Sequence, residues 1–381
     1  MLTLRDKNRR CGDYLIRPGT RADREAFVQL RSEVFGTWPK SAVDAVFNWK
    51  YIDNPYTDDI PLVVAERDGE IVGAYGQLVF ERVLGDEPVV GLQGTDAIVH
   101  PDHQGRGLFT GMVTFGYDCY RSERAIIQYG FPLSDAREIL MGKGLRRREV
   151  TTSVFFHPND DDWIRYHGSG VEPKELLKAG QLPLYRIGIG SVKLAARIAG
   201  SIAGLTKPSV TVTKHEDPPT DELYSLYDCA VPTGVHARRN EPFYDYRLRD
   251  PRFQFTTYVA RTNGRARAAV ITSLDVNTRR EFVVREVLPF EAESGPLRVA
   301  LSHAVADRPQ GCNVKAWCPS GRRGVLFRSG FVPMSVIPSR SDRKANPLIR
   351  SPDARGSEDL DGDVDTPAPV PWSIQAIERD F

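Results

Sequence analysis

Apolar residues along this chain recur with two different periods, and the switches between them outline the elements. Asp13-Tyr-Leu-Ile-Arg-Pro18 reads as a short strand stopped by Pro18 and Gly19. Thr20 then stands where a helix cap is expected, ahead of a helical stripe of Ala26, Phe27, Leu30 and Val34. A second helical stretch, 42–52, ends near Asn54-Pro55. Segments 62–65, 71–80 and 88–99 read as three strands, the first two joined by the hairpin signal Arg67-Asp-Gly-Glu70. Leu108, Met112, Phe115 and Cys119 return to helical spacing, and the pattern then predicts a strand over 125–131, a helix over 134–143 and a strand over 149–156. These elements make a first unit, 13–157, of ordinary domain size.

The next stretch, 158–208, changes character. Within 187–205 the residues Leu194, Ile198, Ile202 and Leu205 form an apolar stripe with Lys193 and Arg197 off it, which predicts an amphipathic connector helix. Its basic residues leave room for peripheral membrane contact at most. Beyond it the opening pattern returns. Phe47-Asn-Trp-Lys-Tyr-Ile-Asp-Asn-Pro55 is echoed by Phe243-Tyr-Asp-Tyr-Arg-Leu-Arg-Asp-Pro251, Val64-Ala65 with Gly69 by Val259-Ala260 with Gly264, and Lys143-Gly-Leu145 by Ser329-Gly-Phe331. Three landmarks in sequence order identify 209–338 as a diverged second copy of the first unit. The remainder, 339–381, is expected to be an acidic flexible tail: residues 351–381 carry eight acidic side chains against two basic ones.

Composition narrows the function. Lysine and arginine total 51 against 50 acidic residues, so no global cationic field points to nucleic acid. Cys11, Cys119, Cys229, Cys312 and Cys318 are scattered, odd in number and without a CxxC pair, which argues against a disulfide framework or a metal site and favours a reducing compartment, the cytoplasm. Met1–Gly12 lacks the apolar core of a secretory signal, and no apolar run is long enough to span a bilayer.

The sharpest chemical signal is Ile98-Val-His-Pro-Asp-His-Gln-Gly-Arg-Gly-Leu-Phe109, where a strand runs into a glycine-rich loop that opens a helix. That order directs unpaired backbone N–H groups and the positive end of a helix dipole at one spot, suited to a phosphate. No Gly-Lys-Ser/Thr follows, which excludes a Walker loop, and GxGxxG is incomplete. At these residues the chain resembles the GNAT family of acyl-CoA-dependent N-acyltransferases. Val99-His-Pro101 and Gln104-Gly-Arg-Gly107-Leu-Phe109 match the family's Val-x-Pro strand end and its Gln/Arg-x-x-Gly-x-Gly/Ala loop, with Phe109 in the last position. The opening Ile16-Arg-Pro18, Tyr129-Gly-Phe-Pro132 and Lys143-Gly-Leu145 fall in the family's order.

The resemblance implies an α/β (α+β) fold of two tandem GNAT-like mixed-sheet domains flanked by helices, the second copy degenerate. It implies acetyl-CoA as co-substrate, its pantetheine lying between the 92–99 and 125–131 strands against the backbones of Ile98 and Val99. Gln104, Gly105, Arg106, Gly107, Leu108 and Phe109 would cradle its pyrophosphate by main-chain N–H groups, and a small-molecule primary amine would attack the thioester directly. The family's usual tyrosine acid is replaced by Leu140 and its frequent glutamate by Gln93. Asp96 is the substitute base and Tyr129 the substitute acid. The second copy has Leu288-Pro-Phe-Glu-Ala-Glu-Ser-Gly-Pro-Leu297 in place of the loop, so it is expected to shape the acceptor cleft without binding CoA. An amino sugar of polysaccharide biosynthesis is the first expectation for the acceptor, and a peptide or antibiotic amine the second. The competing reading, motivated by Leu140 and Gln93, is a non-catalytic acyl-CoA-binding or scaffold protein.

Overall fold

The computed structural model describes residues 3–4, 8–36, 38–121, 126–131, 134–142, 146–147, 153–157, 210–232, 234–277, 281–289, 295–310, 312–318, 323–333 and 348–350. The expected connector helix and all of the tail but 348–350 lie outside these residues, as do Lys143-Gly-Leu145.

The first half runs β1 (Thr3–Leu4), β2 (Arg9–Cys11), β3 (Tyr14–Pro18), α1 (Arg24–Phe35), α2 (Lys40–Phe47), a π-helical turn (Asn48–Ile52), β4 (Leu62–Arg67), β5 (Glu70–Leu84), β6 (Glu87–Val99), α3 (Leu108–Asp118), β7 (Tyr120–Arg121), β8 (Ile126–Gly130), α4 (Ser134–Met141), β9 (Arg146–Arg147) and β10 (Ser153–His157). The second half runs β11 (Val210–His215), α5 (Thr220–Asp228), β12 (His236–Ala237), α6 (Glu241–Arg247), β13 (Phe253–Thr262), β14 (Arg265–Asp275), β15 (Glu281–Leu288), α7 (Gly295–Ala306), β16 (Asn313–Cys318), α8 (Arg323–Arg328), β17 (Val332–Pro333) and β18 (Leu348–Arg350).

Two mixed sheets repeat one order. The first is β2-β3-β4-β5-β6-β8-β18-β9 and the second β11-β13-β14-β15-β16-β10-β17. The hairpin expected at Arg67–Glu70 is present, with Asp68 and Gly69 both at positive φ, as its tight turn requires. Residues 62–65 read as an unbroken apolar run because both faces are covered. Val63 and Ala65 pack with Met112 and Phe115 of α3, while Leu62 and Val64 pack with Phe27, Phe47 and Tyr51.

The chain departs from the sequence reading in its closing strands. β10, expected to finish the first unit, pairs with β16 and β17 of the second sheet, and β18, which lies within the expected tail, pairs with β8 and β9 of the first. Alternating apolar residues mark a strand but carry no information about which edge it joins. Each half thus lends its last described strand to the other.

The repeated segments explain why the halves stay together: they pack on one another. Trp49, in the π-helical turn, stacks on Tyr246 of α6 at a ring separation of 5.1 Å and an angle of 11°, and its Nε1 donates to the Tyr246 carbonyl at 2.9 Å. Asn54 Nδ2 donates to the Val79 carbonyl at 3.2 Å and to the Tyr246 hydroxyl at 3.4 Å. The guanidinium groups of Arg247 and Arg252 lie 5.0 and 5.2 Å from the indole centroid. Leu78 and Phe80 of the first sheet join Phe243, Tyr244, Val259 and Ile271 of the second half in one core. β12 adds to the edge region of β5 at Arg82 and Val83. Next to it, Arg238 reaches Glu81 at 3.0 Å, while Arg239 forms a buried pair with Glu286 at 2.7 Å.

Because this core is shared, the two halves should unfold as one unit. Trp49→Ala, which empties a buried aromatic site, is expected to lower stability by about 3–5 kcal/mol in urea unfolding, with wild type and variant each showing a single transition. Two separated transitions in the wild type would show independent halves.

Candidate functional site

The site begins as an irregularity in the sheet. The β5/β6 ladder shifts register between Ala74 and Gly76. The extra residue is on β6, where Asp96 and Ala97 oppose Tyr75, and Asp96 takes φ 44°, a left-handed conformation that Asp tolerates better than most residues. The parallel β6/β8 ladder runs from Val90↔Ile126 to Gly94↔Gly130 and stops there. From Asp96 to Val99, therefore, the edge of β6 remote from β5 has no strand partner among the described residues. Pairing between β6 and β8 thus ends just before the bulge.

At the far end of that edge the chain enters the loop before α3. Gly105 and Gly107 have φ 73° and 75°, where a side chain would be strained, although a Cβ at either would meet nothing within 4 Å. Gly107 is the N-cap of α3 and supplies no side-chain cap, so the N–H groups of the first turn, Leu108 to Thr110, have no partner in the helix. Gln104 Nε2 donates to the Val99 carbonyl at 3.1 Å and fastens the loop to the strand end. His103 Nδ1 bonds the Tyr14 hydroxyl at 3.0 Å, and Arg106 Nη2 donates to the Asp102 carbonyl at 3.3 Å. Leu108 is buried in the core under α3, with Phe109 packed beside it, so both anchor the helix start. Ile98, Val99 and 104–109 thus run from the strand edge to the uncapped helix end, tied by the Gln104–Val99 hydrogen bond.

Asp96 and Tyr129 lie on the sheet face opposite α3. Asp96 Oδ2 accepts from Lys50 Nζ and from the Tyr51 hydroxyl, each at 2.7 Å, and Lys50 also donates to Thr95 Oγ1 at 3.1 Å. Both partners come from the π-helical turn. Lys50 is 2% exposed, so its charge is matched chiefly by this carboxylate. Gly76 makes the arrangement possible: a Cβ there would stand 1.8 Å from the Tyr51 hydroxyl. On the other side, Arg31 Nε of α1 lies 3.7 Å from Asp96 Oδ1.

Tyr129 belongs to β8. Its neighbour Gln128 reaches the Tyr117 carbonyl on the α3 side, and strand alternation turns Tyr129 the other way. Its hydroxyl accepts from Arg82 Nη2 at 2.8 Å and donates to Gln93 Oε1 at 3.3 Å. The fully buried Arg82 guanidinium also sits 4.4 Å from the Tyr129 ring centroid. Gly91 leaves room for it, since a Cβ would meet Arg82 at 2.9 Å. Val235 of the second half packs in the same small cluster as Tyr129 and Ile127. Tyr75 also borders Gly94, but burial, followed by Tyr117, pushes its hydroxyl well above the usual tyrosine range and makes it a weaker acid. Leu140 is buried in the α3 core.

Lys50, Tyr51, Arg31 and Arg82 were not singled out from the sequence as chemical residues. A signal existed for two of them, since Lys50 and Tyr51 sit in the repeated segment. Glycines inside strands, as at Gly76 and Gly91, mark places where another group approaches closely.

Residues 15–140 match the family model described as an acetyltransferase (GNAT) domain. These residues form a GNAT domain. The family is one of acyltransferases, and the described residues of both halves share the fold of solved members. A GCN5-related N-acetyltransferase from Anabaena variabilis ATCC 29413 is 10% identical, with TM-score 0.55, covering 89% of this chain and 73% of that one. One from Kribbella flavida is 14% identical, with TM-score 0.53 and coverage of 90% and 73%. A probable N-acyltransferase from Enterococcus faecalis V583 is 10% identical, with TM-score 0.55 and coverage of 92% and 73%. At such identities the likeness is one of fold, and it extends over both halves. No curated protein matches the chain. Among the described residues no helix is long and apolar enough to cross a membrane, and no group of three or more His, Cys, Asp or Glu gathers as metal ligands would.

Lys50→Met should take the hydrogen-bonded cation from Asp96 Oδ2, leaving only the looser Arg31 contact at 3.7 Å, and destabilise the protein by about 3 kcal/mol. Lys50→Met with Asp96→Asn removes both charges and should recover much of that loss. A double mutant as unstable as the sum of the single changes would mean the pair is not coupled.

Proposed function

We propose that this chain is a cytoplasmic N-acyltransferase that moves an acetyl group from acetyl-CoA to a primary amine by direct attack in a ternary complex, with an amino sugar of polysaccharide biosynthesis as acceptor. The observation that carries the reading is continuous geometry: a strand edge without a partner leads from the bulge at Asp96 to a helix start whose N–H groups are uncapped. Pantetheine has the amide groups to satisfy the first, and a pyrophosphate the charge to suit the second. The scattered cysteines favour the reducing compartment.

In this reading Ile98 and Val99 hold the pantetheine through their backbones, and the N–H groups of 105–109 hold the pyrophosphate. The amine nitrogen attacks the thioester carbonyl carbon, and a backbone N–H near Val99 stabilises the oxyanion. Asp96 Oδ2 is occupied by Lys50 and Tyr51, which leaves Oδ1 to accept the ammonium proton directly or through one water. Collapse of the tetrahedral intermediate breaks the carbon–sulfur bond, the thiolate takes the Tyr129 proton, and the proton that the new amide nitrogen sheds returns to Tyr129 directly or through water. Arg82, already donating to that oxygen, would stabilise the phenolate left behind. The second half contributes Val235 beneath Tyr129 and the β12 pairing at Arg82, in keeping with a supporting role. A second reading, an acyl-CoA-binding protein without catalysis, draws on the buried Leu140 at the position of the family's tyrosine.

Calorimetric titration with acetyl-CoA should give one site, and Gly105→Glu with Gly107→Glu should abolish it by setting two carboxylates against the pyrophosphate. With an accepted amine, Tyr129→Phe should keep acetyl-CoA affinity while kcat falls by about a hundredfold or more. Binding that survives the double glycine variant would remove the loop from the reading. An unchanged kcat in Tyr129→Phe would remove Tyr129 as the acid.

A further inference from the structure

Around the bulge the charges do not balance. Lys50 and Arg31 bring two positive charges to one carboxylate, Asp96. Lys50 is committed to Asp96 Oδ2 and Thr95, but Arg31 is held differently. Its guanidinium carbon lies 4.7 Å from the Trp38 ring centroid and 5.6 Å from that of Phe35, so two aromatic rings fix its place. Its Nε, though buried, has no hydrogen-bond acceptor among the described residues, since Asp96 Oδ1 at 3.7 Å is an ion-pair contact only. The side chain keeps 17% of its surface exposed, and Phe35 beside it 48%, so Arg31 stands at the rim of the cluster. A rigid, partly desolvated arginine with donors in hand is suited to a planar or tetrahedral oxyanion.

The neighbouring Asp96 Oδ1 accepts no hydrogen bond from a described residue, and it is the atom assigned above to the acceptor ammonium. An ammonium site and an oxyanion site therefore stand side by side. We propose that the acceptor is a zwitterionic amine, one that carries a carboxylate or phosphate within a few bonds of the reacting nitrogen, with Arg31 as the residue that selects it. This rests on the acyl-transfer reading and narrows its acceptor. A simple or polycationic amine would add positive charge to a cluster that already has an excess of one, whereas a zwitterion brings its own neutralising group.

The test pairs amines that differ in one anionic group: glucosamine 6-phosphate against glucosamine, and glycine against glycinamide, with spermidine as the cationic control. CoA release is followed at saturating acetyl-CoA for the wild type, Arg31→Met and Arg31→Lys, after acetyl-CoA binding and thermal melting have been recorded for each. We expect the anionic member of at least one pair to have the higher kcat/KM by about tenfold or more. The phosphate and carboxylate arms tell which oxyanion is meant. Arg31→Met should erase the preference by raising KM, and Arg31→Lys should keep part of it. Equal kcat/KM within both pairs, no turnover of any amine by a protein that binds acetyl-CoA, or a preference that survives in Arg31→Met would overturn the proposal and leave acyl-CoA binding standing. Failure to bind acetyl-CoA at all would overturn the acyl-transfer reading, and this inference with it.

Discussion

Everything distinctive about this molecule depends on one contact, the stack of Trp49 on Tyr246. The indole is fixed by ring overlap, by its Nε1 hydrogen bond to the Tyr246 carbonyl and by two guanidinium groups beside it. Trp49 shares a five-residue π-helical turn with Lys50 and Tyr51, so fixing the indole fixes the next two side chains as well. These are the groups that hold Asp96 at the bulge of β6. The line of causes therefore runs from the interface between the halves, through one helical turn, to the carboxylate beside the proposed reacting centre. A π-helical turn at this place is in keeping with the tendency of such turns to occur at functional sites.

The exchange of closing strands has the same sense. β8 pairs with β6 up to the bulge, and its outer edge is completed by β18, which follows the second half in sequence. β5 is extended by β12, and Val235 packs in the Tyr129 cluster. The surroundings of Tyr129 in the first half are thus built partly from the second. The buried Arg239–Glu286 pair beside β12 costs desolvation and fits a role in fixing register rather than in adding stability.

Much of the scaffold was legible in the sequence for a physical reason. Strand alternation, helical stripes and the Asp68-Gly69 turn are local properties, and the structure reproduces them. The loop at 104–109 was legible because only glycine readily takes the left-handed φ seen at Gly105 and Gly107. The repeat was legible as well, but its meaning was not: two similar nonapeptides gave no sign that they would pack face to face. Strand partners were hidden for a related reason, since an edge accepts any strand of suitable pattern, and β10 and β18 went to the opposite sheets. The partners of Asp96 were hidden because Lys50 and Arg31 are 46 and 65 positions away, and a lone basic residue on a helix usually faces water.

The central claim is that acetyl-CoA binds along the free edge of β6 and at the start of α3, in the first half alone. Amide hydrogen exchange with and without acetyl-CoA measures this most directly. The account predicts slowed exchange at Ala97 to Val99 and Leu108 to Thr110, with none at 281–300. Protection at 281–300, or none at the start of α3, would contradict it.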